Sequence, residues 1–261
     1  MKLIRARGPM SHPDTAVEPH IRGDFHSHIL PEMDDGASNS NISVDMLLQL
    51  KQQNVDLSCL TPHYSHHRES IKNFLTRRTE SYHKLMQTLH DRGLENPVPY
   101  IKLGAEVRVE TGLVDEPDLQ KLCYTGTNAL LLEFPFSKLE RRIYETVENI
   151  VLKYRVTPVI AHFERYSAFY SQDDRERILS LPNVIIQVNS ETLQHFTGKK
   201  FVLSLVSQGI PVILGSDAHD MKQRPPDIET AYSKMEGKMT SCEKANLYRI
   251  IKDTLTCDIC I

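Results

Sequence analysis

The chain has 261 residues, 40% of them hydrophobic and 25% charged, a balance that excludes disordered and fibrous classes. Thirty-one Lys and Arg against 34 Asp and Glu give a net charge of -3, so no general field draws nucleic acid or an anionic membrane. An anionic ligand therefore needs a local positive site. The five cysteines fall at Cys59, Cys123, Cys242, Cys257 and Cys260, an odd number without framework spacing, which fits a reducing, cytoplasmic setting. Cys257 and Cys260 form one isolated C-x-x-C, expected to have no role. No run approaches the roughly 18 apolar residues of a membrane span, and MKLIRARGPM lacks the apolar core of a signal peptide.

In chain order, residues 1–20 carry no periodic apolar pattern and are expected to be a flexible extension ahead of a single catalytic domain over 21–261. From there short apolar segments alternate with helical ones. The strand candidates are IRGDFHSH, VDLSCLTPH, YIKLGAEVR, NALLLEF, TPVIAH, NVIIQVN and PVILGSDAH; helical spacing occupies 40–53, 70–92, 138–154, 173–180 and 197–208. Residues 226–256 read as two closing helices. Strand–helix alternation predicts an α/β fold with a mainly parallel sheet, and seven strands in this length suggest a closed or nearly closed barrel.

The ionisable residues cluster by position. His26 and His28 lie two apart on the first strand, so they share a face. Asp34 and Asp35 follow in a turn before Gly36. His63, Glu106, Glu133 and His162 end the second to fifth strands, and Asp217 with His219 ends the seventh. The sixth delivers none. In a parallel barrel the C-terminal strand ends meet on the face where active sites lie. One histidine at a strand end is ordinarily a satisfied rim residue, but a shared location for the whole set argues for a site. About nine N and O ligands without thiolate suit Mn²⁺, Zn²⁺ or Fe²⁺ and exceed the needs of one ion, so two or three bridged ions are expected. Such a cluster generates hydroxide at neutral pH and clamps the oxygens of a phosphoryl displacement. Arg165 in HFERY and Arg224 in HDMKQRPP belong to loops rimming the same face and match phosphate geometry, with Lys222 a weaker candidate.

The segments DFHSHILPEMDDG, TPHY, GAEV, LLLEF, VIAHFERY and SDAHDMKQRPP occur in an order and spacing that resembles the bacterial polymerase-and-histidinol-phosphatase (PHP) domain tyrosine phosphatases of capsule and exopolysaccharide loci, from about residue 21 to 255. The resemblance implies a distorted (β/α)7 barrel, three metal ions, usually manganese with iron, zinc or cobalt as alternatives, and a phosphotyrosine-protein substrate. It implies that His26, His28, Glu106 and Asp217 hold one ion, that Glu106 bridges to a second held by Glu133 and His162, and that Asp35, His63 and His219 hold the third. Arg165 and Arg224 match the family's phosphate-binding arginines. The implied partner is a bacterial tyrosine autokinase with a phosphotyrosine-rich C-terminal tail, and the implied role is control of polysaccharide assembly or export from the cytoplasm, without membrane insertion. Two features depart from the family: the N-terminal extension is longer than usual, and Ala37 stands where many relatives carry proline. Asp35 is preferred over Asp34 because it abuts Gly36.

A cysteine-dependent tyrosine phosphatase is excluded because no cysteine has an arginine six residues later; Cys242 and Arg249 are one residue too far apart. The expected reaction is hydrolysis of a phosphotyrosine monoester without a covalent phosphoenzyme. The rival readings are a small-molecule phosphatase, such as one acting on histidinol phosphate, and a non-catalytic metal-binding regulator.

Overall fold

The computed structural model describes residues 21–94 and 98–255; the expected extension over 1–20 and the Cys257/Cys260 pair lie outside them. The first strand, β1 (Gly23–Ser27), is buried at every position, as a strand covered on both faces must be. Helix α1 (Ser40–Gln52) follows, started by Asn39, whose side chain accepts hydrogen bonds from the Asn41 and Ile42 amides. It turns Val44, Met46, Leu47 and Leu50 into the core.

The second and third strand candidates each divide. VDLSCLTPH becomes β2 (Leu57–Leu60) and β3 (His63–Tyr64); YIKLGAEVR becomes β4 (Tyr100–Leu103) and β5 (Glu106–Arg108). Pro62 has no N–H to give the ladder, and Gly104 sits where a Cβ would come within 2.9 Å of Tyr124. Pairing survives the break, because Gly104 N donates to Leu60 O and Glu106 N donates to Pro62 O. Between them runs α2 (Ile71–Asp91).

The remaining strands are β6 (Ala129–Glu133), β7 (Thr157–Ile160), β8 (Ile185–Asn189) and β9 (Val212–Gly215). Helices α3 (Arg141–Tyr154), α4 (Gln172–Leu179) and α5 (Phe196–Ser207) alternate with them. Two closing helices, α6 (Glu229–Glu236) and α7 (Ser241–Ile250), occupy the expected C-terminal stretch.

Strand orders β1-β2-β4 and β3-β5-β6-β7-β8-β9, all parallel, become one when each divided strand is taken as a single strand. The end of β9 then meets β1. Asp217 N donates to His26 O at 2.8 Å, His28 N donates to Ala218 O at 2.9 Å, and Ser27 bridges Ala218. Buried Asp24 tightens this seam by accepting from Ser216 N at 2.8 Å and Ser216 Oγ at 2.6 Å. The architecture is a distorted (β/α)7 barrel, and its parallel strands present their C-terminal ends on one face.

Candidate metal centre

All nine candidate ligands converge on that face. His26 and His28 are fully buried, and their Nε2 atoms stand 3.2 Å apart. The opposite nitrogen of each ring has a fixed partner. Gln187 Oε1 accepts the His162 backbone N–H at 2.7 Å, which identifies it as the amide oxygen, and it lies 2.9 Å from His26 Nδ1. His26 therefore carries a proton on Nδ1. His28 Nδ1 faces Asp34 Oδ2 at 2.8 Å, and His219 Nδ1 faces the Asp217 backbone oxygen at 2.9 Å, so both also donate from Nδ1. Three imidazoles thus turn their Nε2 atoms inward, the arrangement that outer partners impose on metal-ligating histidines.

Around these atoms the carboxylates close in. Glu106 Oε2 lies 3.3 Å from His26 Nε2 and 3.4 Å from His28 Nε2; Asp217 Oδ1 lies 3.7 and 3.5 Å from the same pair. His162 Nε2 is 2.8 Å from Glu106 Oε1 and 3.4 Å from Glu133 Oε1. Asp35 Oδ1 is 3.4 Å from His63 Nε2 and 3.5 Å from His219 Nε2. Ligands bound at 2.0–2.2 Å stand about 2.8–3.6 Å from one another in octahedral or tetrahedral shells, a range that takes in nearly all of these separations, so they suit atoms sharing a cation. Sets of three or more donor atoms gather as His26, His28 and Asp217; as His28, Asp35, His63 and His219; and as His63, Glu106 and Glu133.

The donor set fits metal on its own chemistry. Glu106 Oε2 and His219 Nε2 are buried without a satisfied hydrogen bond, although His63 Nδ1 approaches Glu106 Oε2 to 2.8 Å. Bare acceptor atoms this close repel unless something positive stands among them. Protons are one substitute. Burial disfavours a charged His28 ring, yet hydrogen bonds to Asp217, Asp34 and Glu106 prevail and raise its pKa well above the ordinary value. At His162, burial is likewise outweighed by Glu106 and Glu133, which lift it to about 9. Burial pushes Glu106 and Asp217 upward, but the surrounding histidines, His26 foremost, hold both well below the usual carboxylate range. His219 goes the other way: burial and the charges of His28 and Arg224 lower it to about 4, leaving a neutral ring.

Arg165 lies in a 3-10 turn (Phe163–Ala168) after β7, and Arg224 in the loop beyond His219. Their Nη2 atoms reach Asp217 Oδ2 at 3.0 and 2.6 Å, and Asn189 Nδ2 donates to the same oxygen at 2.9 Å. Asp217 therefore has two faces, one toward the histidines and one toward the arginines. Lys222 stays exposed on the same loop.

Sequence reasoning missed the residues that hold the nest in shape. The sixth strand offers no ligand candidate, but Gln187 and Asn189 lie two apart on it and share the inward face. Gln187 Nε2 donates to Asn189 Oδ1 at 3.0 Å, linking His26 and His162 to Asp217 in one chain. That period-two polar pair was the available signal. These bonds also restrain backbone strain, since His162 and Asp217 adopt φ of 31° and 52°, uncommon for residues with a Cβ. Asp34, the alternative to Asp35 in the DDG turn, is engaged in hydrogen bonds of its own. Its carboxylate accepts from His28, from His63 N at 2.9 Å and from Gly36 N at 3.0 Å, whereas Asp35 projects freely toward His63 and His219. Gly36 is required there, because a Cβ would meet His28 O at 2.1 Å.

Among the described residues, two cavities open at the mouth. One of about 320 Å³ is lined by Arg165, Asn189, Asp217 and Arg224; the other, about 590 Å³, starts at Asp35, His63 and Glu133. Phe136 and Phe169, both partly exposed, form an apolar rim with ring centroids 5.7 Å apart, and Phe136 lies 5.3 Å from the His162 ring.

A parallel barrel gathering histidines and carboxylates at its C-terminal mouth is the architecture of a metal-dependent hydrolase. Residues 22–252 match the model of the family described as capsular polysaccharide synthesis, CpsB/CapC, and the chain belongs to that family. It is 31% identical to the tyrosine-protein phosphatase YwqE of Bacillus subtilis (strain 168) over 208 residues, which are 77% of this chain and 78% of that relative. With the tyrosine-protein phosphatase CpsB of Streptococcus pneumoniae it shares 26% over 249 residues, 89% of this chain and 99% of the other. The fold superposes on a crystal structure from work on YwqE and CpsB, described there as metal-dependent tyrosine phosphatases, with a TM-score of 0.71 at 27% identity over 89% of this chain and 94% of that one. Among the described residues, no helix is long and apolar enough to cross a membrane.

Proposed function

We propose that this chain is a metal-dependent protein-tyrosine phosphatase acting in capsular or exopolysaccharide synthesis. The observation that carries the reading is the inward convergence of three histidine Nε2 atoms and two buried carboxylates beside a pair of arginines. Family membership and the names of the relatives favour phosphotyrosine over the small-molecule alternative. The chain acts as one catalytic domain over 21–261.

His26, His28, Glu106 and Asp217 would hold one cation, Glu106, Glu133 and His162 a second, and Asp35, His63 and His219 a third, with manganese the first choice. Bound there, such cations supply hydroxide at neutral pH and neutralise phosphate charge. The chain's own groups do the positioning. Arg165 and Arg224 each bring five N–H donors to the edge of the centre, and both side chains are 39% exposed, open to an arriving phosphate. Their charge steadies the equatorial oxygens as the ester bond breaks. Phe136 and Phe169 provide an apolar rest for the departing phenyl ring, whose phenolate, of pKa near 10, is a tolerable leaving group. The natural substrate would be a bacterial tyrosine autokinase with a phosphotyrosine-rich C-terminal tail, dephosphorylated in the cytoplasm.

The test is phosphate release from a tyrosine-phosphorylated peptide, histidinol phosphate and p-nitrophenyl phosphate, with Mn²⁺ and with chelator. Release from the peptide that chelation abolishes is the expected result. Release unaffected by chelation would sink the metal assignment, and a strong preference for histidinol phosphate would move the reading to the small-molecule rival.

A further inference from the structure

The arginine pair accounts for only one of the two cavities at the mouth. The larger, about 590 Å³, begins at Asp35, His63 and Glu133 and runs outward past Arg68, Arg77 and Arg108. Strand parity explains its position. Glu106 and Arg108 are two apart on β5 and share a face, so Arg108 stands one step farther out than the buried Glu106, in register with Glu133.

The charges lining this cavity divide into spent and available ones. Asp34 is bonded to His28, and Asp35 and Glu133 approach the histidines of the centre. Glu69 pairs with Arg77 at 2.5 Å, and Arg77 also donates to Met33 O at 2.6 Å, so that arginine is committed to the wall. Arg108 is half-exposed, and its partner Glu110, 3.5 Å away, already accepts from Ser65 Oγ at 3.0 Å and His67 N at 3.3 Å. Arg68 is exposed and makes no ion pair among the described residues. The outer part of the cavity therefore presents two available guanidiniums, on a chain whose net charge is -3.

We propose that this cavity is a second anion subsite that binds an acidic side chain of the substrate polypeptide, a carboxylate or another phosphorylated tyrosine, beside the phosphotyrosine being hydrolysed. The inference rests on the phosphotyrosine reading above. Two residues of extended chain span about 7 Å, enough to carry a neighbouring side chain from the centre into the cavity. Guanidinium forks suit carboxylate and phosphate alike, so the geometry defines an anion and leaves its source to the substrate. The subsite gives a protein substrate a contact that a small phosphate ester lacks.

The test uses the metal-loaded full chain and three peptides with one common phosphotyrosine, flanked by alanines, by glutamates or by a second phosphotyrosine. The wild type is expected to show a KM about three- to tenfold lower for an anionic peptide than for the alanine peptide, a preference that fades as salt rises. Whichever anionic peptide gains identifies the source. Arg68→Ala and Arg108→Ala are expected to erase most of that preference, while KM for the alanine peptide moves less than about twofold. A wild type that treats the three peptides alike, or variants that keep the preference, would overturn the subsite and leave the phosphatase reading standing. A wild type that releases no phosphate from any phosphotyrosine peptide, yet cleaves p-nitrophenyl phosphate, would overturn the phosphotyrosine reading and the subsite with it.

Discussion

Asp34 offers a direct test of how the centre is held. One carboxylate oxygen receives both His28 Nδ1 and the His63 backbone N–H, and the other receives the Gly36 N–H. The side chain is 7% exposed, so water cannot easily replace these bonds. In Asp34→Asn one of the two oxygens becomes an NH2 group, and in either orientation it faces a donor. Asp34→Ala leaves all three donors without that acceptor. Breaking a buried, charge-assisted arrangement of this kind costs about 3–5 kcal/mol for alanine and about 1–3 kcal/mol for asparagine. The larger consequence concerns the tautomer: without the carboxylate, His28 is no longer obliged to keep its proton on Nδ1 and its Nε2 bare. Loss of such an outer partner lowers metal affinity or activity by roughly 10- to 100-fold. Calorimetric titration of the metal-free variant with Mn²⁺, alongside urea unfolding with chelator, separates the two effects. An Asp34→Asn protein that binds Mn²⁺ and hydrolyses substrate within about twofold of wild type would refute the orienting role.

Further outcomes follow from other parts of the molecule. Gln187→Leu removes the acceptor shared by His26 and the strained His162 amide, and is expected to reduce activity roughly 10- to 100-fold; Gln187→Glu, which keeps the acceptor, should retain more, and equal losses would argue against the tautomer account. Because His162 is held up near pH 9 and must lose its proton to bind a cation, metal affinity should rise with pH up to about 9 with protons released, which titrations in buffers of different ionisation enthalpy measure. Phe136→Ala is expected to raise KM for a phosphotyrosine peptide about three- to tenfold while sparing small alkyl phosphates, and an equal effect on both would rule out the ring rest. Burial raises Asp24 from 3.8 to about 6, above its unfolded value, so its contribution is fully present below pH 3.8 and lost as pH rises through 6. Between about pH 4 and 7 the metal-free wild type should lose roughly 3 kcal/mol relative to Asp24→Asn, read from unfolding at the two ends.

The barrel was legible because its units obey local rules: apolar strands short enough to be buried on both faces, and helices with one apolar stripe. The ligand candidates were legible for a related reason, since a parallel barrel turns the position "end of strand" into a location in space. What the residues alone did not disclose depends on partners distant in the chain. Gln187 reads as an ordinary polar residue in a strand until His26, 161 positions away, and the His162 amide are placed against its oxygen. The neighbours Asp34 and Asp35 look interchangeable in DDG, and only the direction of each carboxylate separates one that braces His28 from one that faces His63 and His219. The divided strands were hidden because apolar pattern runs through Thr61-Pro62 and Gly104-Ala105 without interruption, while hydrogen-bonding capacity does not. The sequence puts the arginines at the rim, but their shared grip on Asp217 arises only once the loops fold over it.

If the centre takes a cation and the arginines take phosphate, the two faces of Asp217 would make the two events thermodynamically dependent on each other. Its inner oxygen lies toward the histidines and its outer oxygen is gripped by Arg165 and Arg224, so one negative charge is divided between two claimants. A cation bound there would draw on that carboxylate, loosen its hold on the guanidiniums and leave them freer for phosphate. By reciprocity, an anion on the arginines would return the carboxylate to the cation, and each ligand would tighten the other by the same factor. Without a cation to draw on it, the carboxylate would compete with phosphate for the same two guanidiniums.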